Sequence, residues 1–261
     1  MTKKRVVITG IGTINPIGNT VHDYWENLSN GISGISYIDH FDTTDFPCKI
    51  AGNIKAFDPT TIIDKKEARR YSKFVIYAIK AAMDAVKDSG LDIEKEANRI
   101  GVEIGSGIGG LEVLEQNTIK LHEKGPSKVS PFTVPMMIVD MASGIVSIKI
   151  GAKGPNSSAV SACASSTHSI GNAFRMIQYG SADAMICGGS EAAISPLGIA
   201  SFCSAKSLSF NNNAPKEASR PFDLKRNGFV MGEGSGILVL EEYEHAKSRN
   251  ANIYAEVIGY G

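Results

Sequence analysis

The stretch at residues 157–179, SSAVSACASSTHSIGNAFRMIQY, decides the fold of this chain. A short run rich in β-formers ends at Ser161, and Cys163 follows among small residues. Apolar residues then recur at helical spacing, at Ile170, Ala173, Phe174 and Ile177. The pattern predicts a strand, a sharp turn that carries the thiol, and a helix.

The position of Cys163 makes it a candidate nucleophile. Unpaired backbone N–H groups and the positive end of the helix dipole favour a thiolate at the start of a helix. Small neighbouring residues leave room for a substrate carbonyl, as in other nucleophile turns. The local sequence fits a buried, inert cysteine equally well, so both interpretations stay open at this point.

Length and composition indicate one large α/β domain in a chain of 261 residues. Hydrophobic residues make up 43% and charged residues 21%, and 27 basic residues balance 27 acidic ones, which argues against a nucleic-acid partner. Residues 6–8 are too short for a signal-peptide core, and no apolar run approaches the ~18 residues of a membrane span. Four cysteines without metal-ligand spacing predict a reduced, cytosolic protein with no metal site.

Strands alternate with helices along the whole chain, which predicts an α/β fold with a largely parallel sheet. The strands are expected at 5–9, 100–104, 184–187, 237–240 and 253–261. The helices are expected at 21–28, 66–89, 111–124, 136–150, 196–208 and 243–249. A glutamate that follows the third strand, Glu191, is expected to be a hydrogen-bonded structural acid.

Two glycine-rich turns raise the question of a nucleotide. The turn at 10–18, GIGTINPIG, has an asparagine where a dinucleotide loop needs its third glycine. Gly105, Gly107 and Gly110 do fit G-x-G-x-x-G. In a dinucleotide-binding fold, however, an acidic residue about twenty positions further on ends a second strand, whereas Glu123 lies in the predicted helix that directly follows the turn. Close packing of the turn explains these glycines as well, which leaves a nucleotide-dependent oxidoreductase as an outside alternative.

Four stretches taken together resemble the β-ketoacyl-acyl-carrier-protein synthases of the thiolase-like fold, most closely the elongating synthase II branch. They are VVITGIGTINPIGN near the start, IGSGIGGLE at 104–112, SACASS with the following GGSEAAISPLG, and SRPFDLKRNGFVMGEGSGILVLEEYEHAK at 219–247. The resemblance implies half of a duplicated αβαβα sandwich, with a mixed, mostly parallel five-stranded sheet. Residues 1–251 would be the N-terminal half, and residues 252–261 the first strand of the second half.

The resemblance also implies a chemistry that needs no cofactor. Cys163 would take an acyl group from acyl carrier protein as a thioester, with its own backbone N–H as one oxyanion donor. Malonyl carrier protein would then lose carbon dioxide and attack that thioester, lengthening the chain by two carbons. Ile108 matches a position at the floor of the acyl channel and Phe202 another lining position, whereas Thr133 departs from the aromatic residue often found there.

The predicted helix at 66–89 begins with a run of basic residues, which is most simply a solvated face. Because the family's carrier protein is acidic, the resemblance implies a docking patch instead. Its members would be Lys65, Lys66, Arg69, Arg70, Lys128 and Lys206. The resemblance further implies a homodimer in which the sheets continue across the two-fold axis through the strand before the cysteine.

The second half of the family's fold supplies two catalytic histidines, a lysine and the other oxyanion donor. The five histidines here are His22, His40, His122, His168 and His245, and none lies in a matching motif. His168 lies about 140° around the helix from Cys163, so a structural role is expected. The chain alone is therefore not expected to complete a condensation. A polyketide ketosynthase and a non-catalytic partner subunit remain alternatives, although the retained cysteine argues against the second.

Overall fold

A six-stranded mixed sheet organises the chain in the computed structural model, which describes residues 3–261. The strands are β1 (Val6–Ile14), β2 (Ser36–Tyr37), β3 (Ile50–Ala51), β4 (Ile100–Gly105), β5 (Asn156–Ser157), β6 (Ala184–Glu191), β7 (Gly234–Glu242) and β8 (Ala255–Glu256). The sheet order is β5-β4-β6-β7-β1-β8, and β2 pairs separately with β3. Strands β1, β4, β5 and β6 run in one direction and β7 and β8 in the other. The mixed, mostly parallel sheet is confirmed, with one strand more than predicted.

Helices cover both faces of this sheet. They are α1 (Val21–Ser29), α2 (Lys65–Ala68), α3 (Lys73–Ser89), α4 (Ile93–Glu96), α5 (Leu111–Lys124), α6 (Thr133–Met137), α7 (Met141–Ile150), α8 (Ser165–Gln178), α9 (Pro196–Ser204) and α10 (Tyr243–Ser248). Helices α3 and α7 pack on one face over the larger apolar core, and α8 packs on the other over β4 and β6. None of these helices is both long enough and apolar enough to cross a membrane.

Two predicted helices are each divided in the structure. The expected helix at 66–89 breaks between α2 and α3, because Ser72 before α3 has extended backbone (φ −76°, ψ 161°). The expected helix at 136–150 breaks between α6 and α7, where Ile138 is also extended (φ −69°, ψ 141°). The apolar spacing runs across both breaks, and so the periodicity alone did not reveal them.

The prediction of a turn over residues 10–18 is wrong for residues 10–14, because β1 continues to Ile14, and the turn itself is confined to residues 15–18. A Cβ at Gly10 would lie 2.2 Å from the carbonyl oxygen of Ala85, and one at Gly12 would lie 1.9 Å from that of Ala81. These glycines let the backbone of α3 lie directly against the strand. They are packing residues within a strand.

The last predicted strand is shorter than expected. Only Ala255–Glu256 pairs, antiparallel to β1 at the edge of the sheet. Glu256 also forms an ion pair with Arg5 of 2.7 Å. The assignment of residues 252–261 to the first strand of a second half stays a prediction.

Candidate active site

Cys163 lies in a tight turn directly before α8, and its side chain is exposed. The preceding residue, Ala162, has a left-handed backbone with φ +53°, a conformation that costs roughly 1–3 kcal/mol outside glycine. The predicted turn and helix are confirmed, whereas the strand before them ends at Ser157 and residues 158–161 make no strand pairing. The strained turn presents the thiol at the N-terminal end of the helix.

Hydroxyl groups hold the two sides of this turn together. The Oγ of Ser165 accepts a hydrogen bond from the N–H of Ser161 (2.9 Å) and donates one to the carbonyl of Ala162 (2.7 Å). The hydroxyl of Ser161 also bonds to Nδ1 of His168. The His168 ring thus braces the loop before the cysteine, in agreement with its predicted structural role.

A cavity of about 980 Å³ opens beside the thiol and is lined mainly by apolar atoms. It brings together three residues that the sequence singled out, Cys163, Ile108 and Phe202. Its other walls include parts of β1, β7 and α1, with Trp25 among the residues of α1. Thr133 lies outside this lining, and its hydroxyl donates to the carbonyl of Ser130 (2.7 Å). A cavity of this size and polarity suits an extended apolar group attached at the cysteine.

The second glycine-rich turn is packed against protein. A Cβ at Gly105 would lie 2.5 Å from the carbonyl oxygen of Ser165, and one at Gly110 would lie 2.2 Å from that of Met136. The N–H groups of Gly107 and Ile108, which a phosphate would need, already donate to the carboxylate of Glu191. Close packing therefore accounts for these glycines, and the geometry gives no support to a dinucleotide site.

Glu191 is the hydrogen-bonded structural acid that the sequence predicted. Its carboxylate accepts from the N–H of Gly107 (2.7 Å), the hydroxyl of Ser106 (3.0 Å) and the N–H of Ile108 (3.3 Å). Burial raises the pKa of the Glu191 carboxyl, and these hydrogen bonds oppose the shift without cancelling it. The carboxylate thereby fixes the turn that places Ile108 at the cavity.

The predicted basic residues are all exposed. Lys65 and Lys66 lie on α2, Arg69 and Arg70 follow it, Lys128 lies in the turn after α5, and Lys206 follows α9. The guanidinium of Arg70 stacks over the ring of Phe132, 5.0 Å from its centroid, which connects α2 with the loop that carries Lys128. Glu67 is paired with Lys149 (2.5 Å), and within residues 3–261 the six predicted side chains form no ion pair. Their positive charges are therefore uncompensated.

Sequence reasoning missed two residues of this site. Ser165 was included only as a small neighbour of the cysteine, although a serine at a helix start is typical of residues that bond to nearby backbone. Trp25 was not singled out, because its place in the cavity depends on how α1 folds back beside β1. Nothing in its local sequence signals that placement.

The mixed sheet with helices on both faces, and the strained turn that presents Cys163 at the start of α8, belong to a fold of the thiolase-like class. Within that class the chain belongs to the β-ketoacyl synthase family, since residues 3–246 match the family described as "Beta-ketoacyl synthase, N-terminal domain".

Relatives named 3-oxoacyl-(acyl-carrier-protein) synthase 2 align along nearly the whole chain. The chain is 55% identical to the one from a Synechocystis strain, covering all of this chain and 63% of that protein, and 56% identical to the one from Staphylococcus aureus strain COL, covering 99% and 62%. One chain of AntDE:AntF, the structure of a type II PKS acyl-carrier protein in complex with its ketosynthase, has a similar fold, with a TM-score of 0.87 and 33% identity over 98% of this chain and 62% of that chain. The chain thus spans less than two thirds of the length of its curated relatives.

Proposed function

We propose that Cys163 accepts an acyl group from an acyl carrier protein, as the first step of an elongating condensation in fatty-acid biosynthesis. The observation that carries this proposal is the exposed thiol on the strained turn, open to a largely apolar cavity of about 980 Å³. The identity of 55–56% to proteins named 3-oxoacyl-(acyl-carrier-protein) synthase 2 supports the same reaction.

In the first step the Cys163 thiolate attacks the thioester carbonyl and a new C–S bond forms. The carbonyl oxygen becomes an oxyanion, and the backbone N–H of Cys163 is suited to stabilise it, because within residues 3–261 that N–H has no hydrogen-bond acceptor. The C–S bond to the carrier then breaks, and its thiolate leaves and takes up a proton. The acyl group remains on Cys163, with its chain in the cavity.

The second step would be decarboxylation of malonyl carrier protein and attack of the resulting carbanion on the Cys163 thioester. The resemblance assigns that step to two histidines and a lysine of the family's second half. No histidine lines the cavity in the part of the chain that the structure describes. We therefore assign the condensation to a whole protein of the relatives' length, and we expect the 261-residue chain to stop at acyl transfer.

The acyl carrier protein is proposed to dock on the patch formed by Lys65, Lys66, Arg69, Arg70, Lys128 and Lys206. Their uncompensated charges would attract an acidic partner and steer its approach. The likeness to a ketosynthase that was solved with its acyl-carrier protein supports this kind of partner. We also propose a homodimer through β5, because that strand lies at the edge of the sheet, where a strand of a second copy can pair with it.

A polyketide ketosynthase is the second candidate, favoured by the fold likeness to AntDE:AntF at 33% identity. The higher identity to fatty-acid synthases argues for the first candidate. The two differ in the preferred acyl group. Faster acylation by a β-ketoacyl thioester than by a saturated acyl thioester would support the polyketide assignment.

The mass of the carrier protein tests the first step. Saturated acyl carrier protein incubated with the chain is expected to lose one acyl group per chain, giving free carrier protein. A Cys163→Ala variant should leave it intact, and a Cys203→Ala variant should behave as the unaltered chain. If the 261-residue chain released carbon dioxide from malonyl carrier protein, the proposal that this chain carries out only acyl transfer would be contradicted.

A further inference from the structure

A buried carboxylate that the proposed reaction does not use lies beneath α8. Glu103 is on β4, and only 1% of it is exposed. Its neighbours Val102 and Ile104 point into the core under α3 and α7, so the alternation of the strand directs Glu103 to the face that α8 covers. A buried carboxylate is costly unless it is hydrogen-bonded, and its partners are therefore informative.

Two side chains bind this carboxylate. The amide of Asn172 donates to one oxygen at 3.2 Å, and the hydroxyl of Ser157 donates to the other. Within residues 3–261 no lysine or arginine pairs with it. Glu103 and Ser157 are also direct partners in the parallel pairing of β4 with β5. The carboxylate is thus held by hydrogen bonds from two separate elements.

These two partners lie on either side of the nucleophile. Ser157 ends the strand that leads to Cys163, and Asn172 lies on the helix that leaves it. Glu103 therefore connects both flanks of the turn to the same strand of the sheet. The bonds of Ser165 act within the turn itself, and they do not fix its flanks relative to the sheet.

The strain in the turn makes such a connection useful. The left-handed backbone at Ala162 persists only where the surrounding structure holds it. If the end of β5 moved relative to α8, the turn could relax and the thiol would leave its position over the cavity. A residue that fixes both flanks acts on the thiol without contacting it.

We propose that Glu103 is a positioning residue for Cys163. Its hydrogen-bonded carboxylate sets the spacing between β5 and α8, which keeps the turn in the conformation that presents the thiol. The inference rests on the proposed function only in taking Cys163 as the reactive residue. Its test therefore uses a reagent that needs no carrier protein.

The test is the rate at which iodoacetamide alkylates each cysteine, followed by peptide mass spectrometry on the 261-residue chain. Glu103→Leu removes both hydrogen bonds at similar volume, and we expect alkylation of Cys163 to slow about tenfold, equivalent to about 1.4 kcal/mol in activation free energy. Glu103→Gln should stay within about twofold of the unaltered chain, because its amide can accept from Asn172 and donate to the Ser157 hydroxyl.

The other cysteines report on global effects in the same sample. Cys203 is partly exposed and its rate should not change, and Cys48 is buried in a separate cluster and should stay unmodified in a folded chain. If Glu103→Leu does not fold, the exposed Asn172→Ala change removes one of the two bonds and should slow Cys163 about threefold.

An unchanged or faster rate at Cys163 in a folded Glu103→Leu variant would overturn the proposal. The same holds if Glu103→Gln is as slow as Glu103→Leu, or if Cys203 slows by the same factor as Cys163. A chain that shows the expected alkylation pattern but takes no acyl group would instead refute the proposed function and leave the role of Glu103 standing.

Discussion

Replacing Glu191 by alanine tests the structural basis of the cavity wall. The change removes the acceptor of three hydrogen bonds, of which those from Gly107 (2.7 Å) and Ser106 (3.0 Å) are the shorter. Each hydrogen bond to a charged group contributes about 1.5–3 kcal/mol to stability. The substitution also removes the cost of burying the carboxylate, which is seen in its raised pKa, and this gain offsets part of the loss. We expect a net destabilisation of about 2 kcal/mol, or a Tm lower by about 4–8 °C.

Glu191→Gln is the matched variant, because it keeps an acceptor for the turn but does not titrate. Thermal unfolding should place it between the unaltered chain and Glu191→Ala. Since burial raises the pKa of Glu191, the folded state holds that proton more tightly than the unfolded state. The stability of the unaltered chain relative to Glu191→Gln should therefore increase as the pH falls through the raised pKa. Equal Tm values for all three proteins would refute the assigned hydrogen bonds.

Three further changes have definite expected outcomes. Reversing the charge at Arg69 and Arg70 should weaken binding of acyl carrier protein about tenfold at low salt, with a smaller effect at high salt, measured by titration calorimetry. Burial lowers the pKa of His245, but its hydrogen bonds to two glutamates outweigh burial and raise it. The stability that these hydrogen bonds add is present below the ordinary histidine pKa and is lost as the pH rises through the raised pKa. His245→Gln should therefore flatten the Tm profile on the alkaline side of the ordinary histidine pKa. Gly110→Ala should cost about 3 kcal/mol or more in urea unfolding, because its Cβ would lie 2.2 Å from a carbonyl oxygen.

Two of these predictions have a control variant in the same chain. Lys87→Glu, in the last turn of α3, should leave carrier binding unchanged. If the Arg69 and Arg70 variant binds the carrier protein as tightly as the unaltered chain, the patch is only a solvated face. A Tm profile unaffected by His245→Gln would contradict the pKa shift. Gly144→Ala has open space around its Cβ and lies within α7, so it should stabilise by about 0.5–1 kcal/mol. Similar effects at the two glycines would refute the packing argument.

The elements with strong local signals could be predicted from the sequence. Apolar spacing after Cys163 and Gly90 after α3 mark a helix and a helix end, and both lie where expected. The roles of Gly10 and Gly12 could not be predicted locally, because the helix they contact is distant in the sequence. Their neighbours fit a turn as well as a strand, and only tertiary packing decides between the two.

The candidate site could likewise be predicted only where the sequence carries a local or family signal. The local pattern singled out Cys163, and the family resemblance added Ile108 and Phe202; the structure brings all three around one cavity. The role proposed for Glu103 could not be predicted, since a glutamate in an apolar strand gives no sign of which elements its carboxylate will contact. Its two partners come from β5 and α8, and only the pairing of β4 with β5 and the packing of α8 bring them together.

The most direct test of the central proposal is the intact mass of the purified chain after incubation with a saturated acyl carrier protein. One acyl adduct, absent from a Cys163→Ala variant that has the same circular dichroism spectrum, is the expected result. A folded chain that acquires no adduct, or a Cys163→Ala variant that acquires the same one, would contradict the assignment of Cys163 as the acyl acceptor.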